Sequence, residues 1–197
     1  MSNLRTLFSL FLMFGLGFAS CKNKNSHVVT TQVHEIVKIT GDDFCKAALD
    51  GNVDLVRKAL ESGVDVDFAD SDGRTALMYA SFNGHTDVIK TLLARGAKVD
   101  MRDPNGRTAL ILAASGPFPA ALNLLLDAGS DPNLFDREER FTALMYAAAE
   151  GHLDNVKMLI SYKADPLMKD TDGDYALVFA RNNGHTEVVN YLSKFVK

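Results

Sequence analysis

Three histidines, His85, His152 and His185, are by type the residues best suited to hold a metal ion or move a proton. Each follows a glycine and heads an apolar segment, at the same place of an internal register. Equivalent places in stacked helical units lie about 8 to 10 Å apart, whereas ligands of one zinc ion lie ~2 Å from it, so no metal site is expected. His27 and His34 stand in a polar stretch without companion ligands. The two cysteines, Cys21 and Cys45, do not make a disulfide framework. Cys45 falls in register with Met78, Ile111, Met145 and Val178, which reads as an inert core thiol against the alternative of a reactive one. Asp70, Asp72, Asp103, Asp136, Asp170 and Asp172 sit in turn segments, where a carboxylate satisfies nearby backbone amides. No serine elbow, phosphate-cradling glycine loop or paired metal motif is present. The expected protein has no catalytic residues, no cofactor, no metal and no small-molecule substrate.

The elements that would position these residues follow from a repeat. Gly51 to Gly84, Gly73 to Gly106 and Gly96 to Gly129 are each 33 residues apart, and periods of this length mean stacked supersecondary units. The segment Asp70-Ser71-Asp72-Gly73-Arg74-Thr75-Ala76-Leu77-Met78-Tyr79-Ala80 aligns without a gap on Asp103-Pro104-Asn105-Gly106-Arg107-Thr108-Ala109-Leu110-Ile111-Leu112-Ala113. Thr142 to Ala148 and Tyr175 to Ala180 continue the series. From near Val37 to Lys197 the chain resembles the ankyrin repeat. The family's Thr-Pro-Leu-His stands here as Thr-Ala-Leu-Met, Thr-Ala-Leu-Ile or Tyr-Ala-Leu-Val, and the fourth unit carries one extra residue near Asp136 to Arg140. The resemblance implies an all-α solenoid of five stacked helix-turn-helix units joined by β-hairpin-like turns. The units run over about 39–69, 70–102, 103–134, 135–169 and 170–197.

Thr75, Thr108 and Thr142 precede apolar runs and are placed to cap helix amides, with Asp42 expected in that role in unit one and Tyr175 unable to fill it. Leu77, Leu110, Leu144 and Leu177 mark the buried face of the first helices, with Phe44 and Ala47 standing in for the repeat leucine and alanine in unit one. Ala80, Ala113, Ala147 and Ala180 permit close approach. The second helices repeat Val56, Ile89, Leu122, Val156 and Val189, then Leu92, Leu125, Leu159 and Leu192, as a buried stripe. Gly63, Gly96 and Gly129 end these helices in a left-handed conformation, and Lys163 occupies that place in unit four. Gly116-Pro117-Phe118-Pro119 replaces the Gly-His linker of unit three and should stiffen that turn. Units one and five read as caps.

Arg5, the apolar run Leu7 to Phe18 and the small pair Ala19-Ser20 have the layout of a secretory signal peptide over 1–20. The run is too short for a permanent membrane span, which needs about 20 apolar residues. Phe18-Ala19-Ser20-Cys21 resembles a bacterial lipobox, with Phe18 where that family usually has leucine. This implies lipidation of Cys21, ordinary cleavage nearby being the alternative. Residues 21–38 then form the lipidated terminus and a flexible polar tether. Loss of Arg5 takes the formal net charge from -4 to -5, so the anchor would be hydrophobic and not electrostatic.

Composition bounds the partners. With 197 residues, 47% hydrophobic and 23% charged, the chain is globular, and its negative charge argues against nucleic acid. Resemblance to the family implies a protein partner held at the hairpin tips and the concave ends of the first helices. By register, the contact residues are Arg74, Phe82, Asn83, Arg102, Asn105, Arg107, Phe141, Glu150, Asn182 and Asn183. Phe82 is the preferred anchor, an aromatic where the core requires none, against the alternative of a side chain lying on the next repeat. Arg74, Arg102, Arg107, Arg137 and Arg140 would suit an acidic partner, unless the interleaved carboxylates neutralise them. The expected protein is an exported, lipid-anchored monomer facing the periplasm or cell surface, an adaptor or immunity-type binder. The alternatives are a structural or protective envelope component, or a secreted effector acting on a host protein.

Overall fold

The computed structural model describes residues 39–196. The signal segment 1–20, Cys21 and the tether 21–38 lie outside the described residues. Ten helices are present among those described: α1 Gly41–Leu49, α2 Val53–Glu61, α3 Ala76–Phe82, α4 Thr86–Ala94, α5 Ala109–Ala114, α6 Pro119–Asp127, α7 Ala143–Ala149, α8 Leu153–Ser161, α9 Ala176–Asn182 and α10 Thr186–Leu192. They fall two to a unit. The odd-numbered helices stack on one another as one layer, the even-numbered as a second, and each pair packs internally. Fingers of extended chain project before α3, α5, α7 and α9, two of them closed by isolated antiparallel bridges, Ala69 to Thr75 and Phe135 to Thr142. The architecture is an all-α repeat solenoid.

The helices begin where the threonines stand. The Oγ1 atoms of Thr75, Thr108 and Thr142 accept the backbone N–H of Met78, Ile111 and Met145, each at 3.3 Å. Such a cap contributes about 1 kcal/mol. Tyr175 makes no side-chain cap. In unit one the cap is Thr40 and not Asp42: Thr40 Oγ1 accepts Asp43 N at 3.1 Å, and the Asp43 carboxylate accepts Thr40 N at 3.0 Å. No finger precedes α1 among the described residues, so this helix extends two residues further back than the register predicts, and its cap moves with it.

The core lies between units. Phe44, Leu77, Leu110 and Leu144 are buried, with Ala47, Ala80, Ala113, Ala147 and Ala180 letting the odd helices approach. In the second layer Val56, Ile89, Leu122 and Val156 are fully buried, as are Leu92, Leu125, Leu159 and Leu192. Val189 departs from the predicted stripe, being only half-buried, because among the described residues no sixth unit covers it. Its neighbour Val188 stays buried, as do Val88, Ala121 and Asn155 at the same place of the register. Gly63, Gly96 and Gly129 end their helices at φ of 92°, 82° and 92°, and Lys163 adopts the same left-handed region at 69°. Arg140, at the extra residue of finger four, is a second left-handed side chain with φ of 63°, which the register alone did not single out.

Polar struts join neighbouring units at the turns between helices. His85 Nε2 donates to Leu49 O at 3.0 Å, His152 Nε2 to Ser115 O at 3.3 Å and His185 Nε2 to Ala149 O at 2.8 Å. A carbonyl only accepts, so the proton resides on Nε2 in each. Unit three has Phe118 there instead, and the ring packs against Gly84, where a Cβ would overlap it. The linker glycines Gly51, Gly84, Gly151 and Gly184 adopt positive φ. Proline cannot, so at Pro117 the turn is rebuilt: Phe118 N donates to Gly116 O at 2.9 Å, and Pro119 opens α6. Asn155 of the next unit, 1% exposed, completes it by donating Nδ2 to the same Gly116 O at 2.8 Å.

Two stability changes follow. Asn155→Ala should lower the free energy of unfolding by about 1 kcal/mol, because it removes one of the two donors to the half-buried Gly116 carbonyl. Ser81, whose buried hydroxyl has no hydrogen-bond partner among the described residues, corresponds to Ala48, Ala114 and Ala148. Ser81→Ala should therefore raise stability by about 1 kcal/mol. Urea unfolding at unchanged slope reads both; a destabilised Ser81→Ala would show that the hydroxyl is satisfied after all.

Candidate functional site

The face of the odd helices turned away from the core carries residues three and four apart, such as Tyr79, Phe82 and Asn83 on α3. In the repeat register Tyr79 aligns with Lys46, Leu112, Tyr146 and Phe179, and Phe82 with Leu49, Ser115, Ala149 and Asn182. The first row forms a largely apolar floor at the foot of the fingers. Phe141 extends it, its ring edge-on to Phe179 at 4.9 Å and to Tyr146 at 5.7 Å. Phe82 stands out of the second row, 52% exposed on a rigid helix. Tyr79, Leu112, Tyr146 and Phe179 were not singled out from the sequence as contact residues. They belong to the repeating alignment, and only comparison of the same place across all five units separates them from core.

Each finger is built around one carboxylate. Asp70 Oδ1 accepts the N–H of Asp72 and of Arg74, both at 3.0 Å, while Oδ2 accepts the Tyr79 hydroxyl at 2.7 Å. Asp136 repeats this with Glu139 N at 3.0 Å, Phe141 N at 3.2 Å and the Tyr146 hydroxyl at 2.9 Å. Asp170 accepts Asp172 N at 2.9 Å and Asp174 N at 2.8 Å. Burial and the bond to a carboxylate, in that order, push the hydroxyls of Tyr79 and Tyr146 up to about 12. Asp70, Asp103, Asp136 and Asp170 are thus turn formers, whereas the carboxylates of Asp72 and Asp172 accept no hydrogen bond among the described residues and their expected role is not seen. In finger three Leu112 stands where the tyrosine would be, and Arg107 takes over, placing Nε at 3.0 Å and Nη2 at 2.9 Å from Asp103 Oδ2.

The predicted contact residues divide by what they touch. Asn83 Nδ2 donates to Leu49 O at 2.8 Å and Asn183 Nδ2 to Ala149 O at 2.7 Å, so both amides brace neighbouring units. Arg102 Nη1 donates to Phe135 O at 3.1 Å. Arg137 Nη1 reaches Pro104 O at 3.2 Å, and its backbone N donates to Asn105 O at 2.7 Å, tying the tips of fingers three and four. The Arg140 guanidinium lies over the Phe135 ring at 4.2 Å. Glu150 and Asn182 are exposed, Asn105 half-exposed and Phe141 half-buried in the floor. Arg74 leans toward the third finger, Nε at 3.7 Å from Asp103 Oδ2, with its guanidinium 5.8 Å from the Tyr79 ring centre.

At the first unit the floor ends in a cleft of about 220 Å³ lined by Asp42, Cys45, Lys46, Leu49, Asp70, Ser71 and Tyr79. The Cys45 thiol, 2% exposed, faces Arg74 O at 3.7 Å and Phe68 O at 3.9 Å. Burial, then the carboxylates of Asp70 and Asp42, push its pKa up to about 12. Among the described residues no group of three or more His, Cys, Asp or Glu is placed to hold a metal ion.

A family profile described as Ankyrin repeats (3 copies) matches residues 44–136, 95–170 and 144–197. No curated protein matches the chain.

A thiol held near 12 is protonated at neutral pH and does not act as a nucleophile. Cys45 should resist iodoacetamide in the native protein and react at the normal rate in urea, as read by peptide mass mapping. Rapid native modification would show that the cleft activates it.

Proposed function

Because the chain belongs to the ankyrin-repeat family, whose arrays are protein–protein interaction modules, we propose that it is a non-enzymatic adaptor or immunity-type binder. In this reading it is exported, anchored by lipid on Cys21, and captures one protein in the cell envelope through its fingers and groove. Phe82 carries the reading. A large aromatic that is 52% exposed on a packed helix costs no backbone ordering when a partner covers it. Burying its exposed half contributes about 1 kcal/mol from transfer alone, to which tight packing at a hot spot adds. The partly buried aromatics Tyr79, Phe141, Tyr146 and Phe179 continue from it along the array, so one extended or helical segment would meet several units at once. Aromatic anchors within a polar rim are the usual centre of an interface.

The fingers support the same reading by being pre-organised. Their carboxylates satisfy the backbone from within, and Arg137 and Thr171 link the third finger to the fourth and the fourth to the fifth. A partner therefore meets a shaped surface and not a set of mobile loops. Export and anchoring rest on Leu7 to Cys21, whose layout is that of a lipoprotein leader.

Affinity capture of the processed protein from its native envelope, with the mass of the N-terminal peptide read alongside, tests both halves. The wild type should retain one dominant protein, and Phe82→Ala should bind it at least about 30-fold more weakly, the ratio expected for a 2 kcal/mol hot spot. The N-terminal peptide should begin at a diacylated Cys21. Equal retention by Phe82→Ala would refute the groove, and an unmodified terminus would refute the anchor.

A further inference from the structure

The second and third fingers enclose a cleft of about 340 Å³ lined by Asp72, Arg74, Asp103, Pro104, Asn105 and Arg107. Two guanidinium groups share one carboxylate in it. Asp103 is 2% exposed and held by three donors: Oδ1 accepts Arg107 N at 2.9 Å, and Oδ2 accepts both Nε and Nη2 of Arg107. Arg74 approaches the same Oδ2 only through Nε, at 3.7 Å. Its terminal nitrogens have no hydrogen-bond partner among the described residues, and a third of its side chain is exposed. Asp72 lines the cleft as well, yet forms no ion pair with either arginine.

This arrangement is particular to one place in the array. In finger two Tyr79 takes Asp70 Oδ2, which leaves Arg74 without a carboxylate in its own finger. In finger three Leu112 cannot do the same, so Arg107 is drawn onto Asp103. In finger four the corresponding place is held by Phe141, whose N–H meets Asp136 Oδ1, and finger five has Asp174 there. Among the described fingers, only between the second and third is a guanidinium with an unused edge oriented by a buried acid and backed by a second guanidinium.

We propose that this cleft reads an acidic side chain of the protein partner: an aspartate or glutamate enters between the fingers and accepts two parallel hydrogen bonds from Arg74, with the Arg107 charge behind it. Planar guanidinium forks match carboxylates in this bidentate way. The inference rests on the groove reading above and adds the chemistry of one contact. It also follows that the residue must be carried by a segment anchored elsewhere, because one exposed ion pair holds little by itself.

Selection of random peptides against the processed wild-type protein and against Phe82→Ala and Arg74→Gln tests it, with unchanged thermal unfolding as the folding control. Peptides selected by the wild type should carry an acidic residue at a fixed distance from an apolar anchor. They should bind Arg74→Gln at least about tenfold more weakly, and changing their acid to the amide should cost a similar factor. The two changes together should cost little more than one, which is the signature of a direct pair. Peptides that need Phe82 but carry no acidic residue, or for which the two losses simply multiply, would overturn the carboxylate site and leave the groove intact. Peptides that bind Phe82→Ala as well as wild type, or no binders at all, would overturn both.

Discussion

Every feature of this protein depends on burial between neighbours. A single helix pair here is too small to cover its own apolar face, so Leu77, Ile89 and Leu92 become core only when units one and three close over them. The alanines at 47, 80, 113, 147 and 180 set how closely that closure occurs. Val189 shows the same rule from the other side, only half-buried where no further unit covers it among the described residues.

Polar groups then fix the register that burial alone would leave loose. Three histidines each reach across to a carbonyl of the preceding unit, and Asn83 and Asn183 share two of those carbonyls. Where Pro117 denies the linker its left-handed residue, an asparagine from the following unit supplies the missing contact. The strut is conserved in role while the residue that performs it changes. A carboxylate at the base of each finger performs the comparable task for the binding edge, and whether Tyr or Leu stands nine residues on decides which group it holds. That choice releases Arg74 and retains Arg107. One exchange in a half-buried row thus reaches the charge pattern of the surface.

The fold was legible from the 33-residue recurrence, since threonine caps, apolar spacing and terminal glycines each have a local cause. The position of the first cap was not: it lies at Thr40 and not Asp42, where no finger is present among the described residues to hold the start of α1. Contact residues were harder to read. Arginines and asparagines at places the core does not require look alike in the sequence, but most of them face another unit of the same chain. The aromatic floor was hidden for the opposite reason, because Tyr79, Tyr146 and Phe179 lie within the most regular part of the repeat.

By itself, then, the sequence determined the helical pairing of the units, the buried stripes and the buried setting of Cys45, all of which follow from periodicity and short-range chemistry. Only the tertiary structure decided which polar side chains reach across to a neighbouring unit and which remain turned outward. That distinction depends on distances between residues about 33 apart in the chain, and stacking, not local preference, sets those distances. Phe82 remains exposed and Arg74 keeps an unused edge because of what stands one unit away from each.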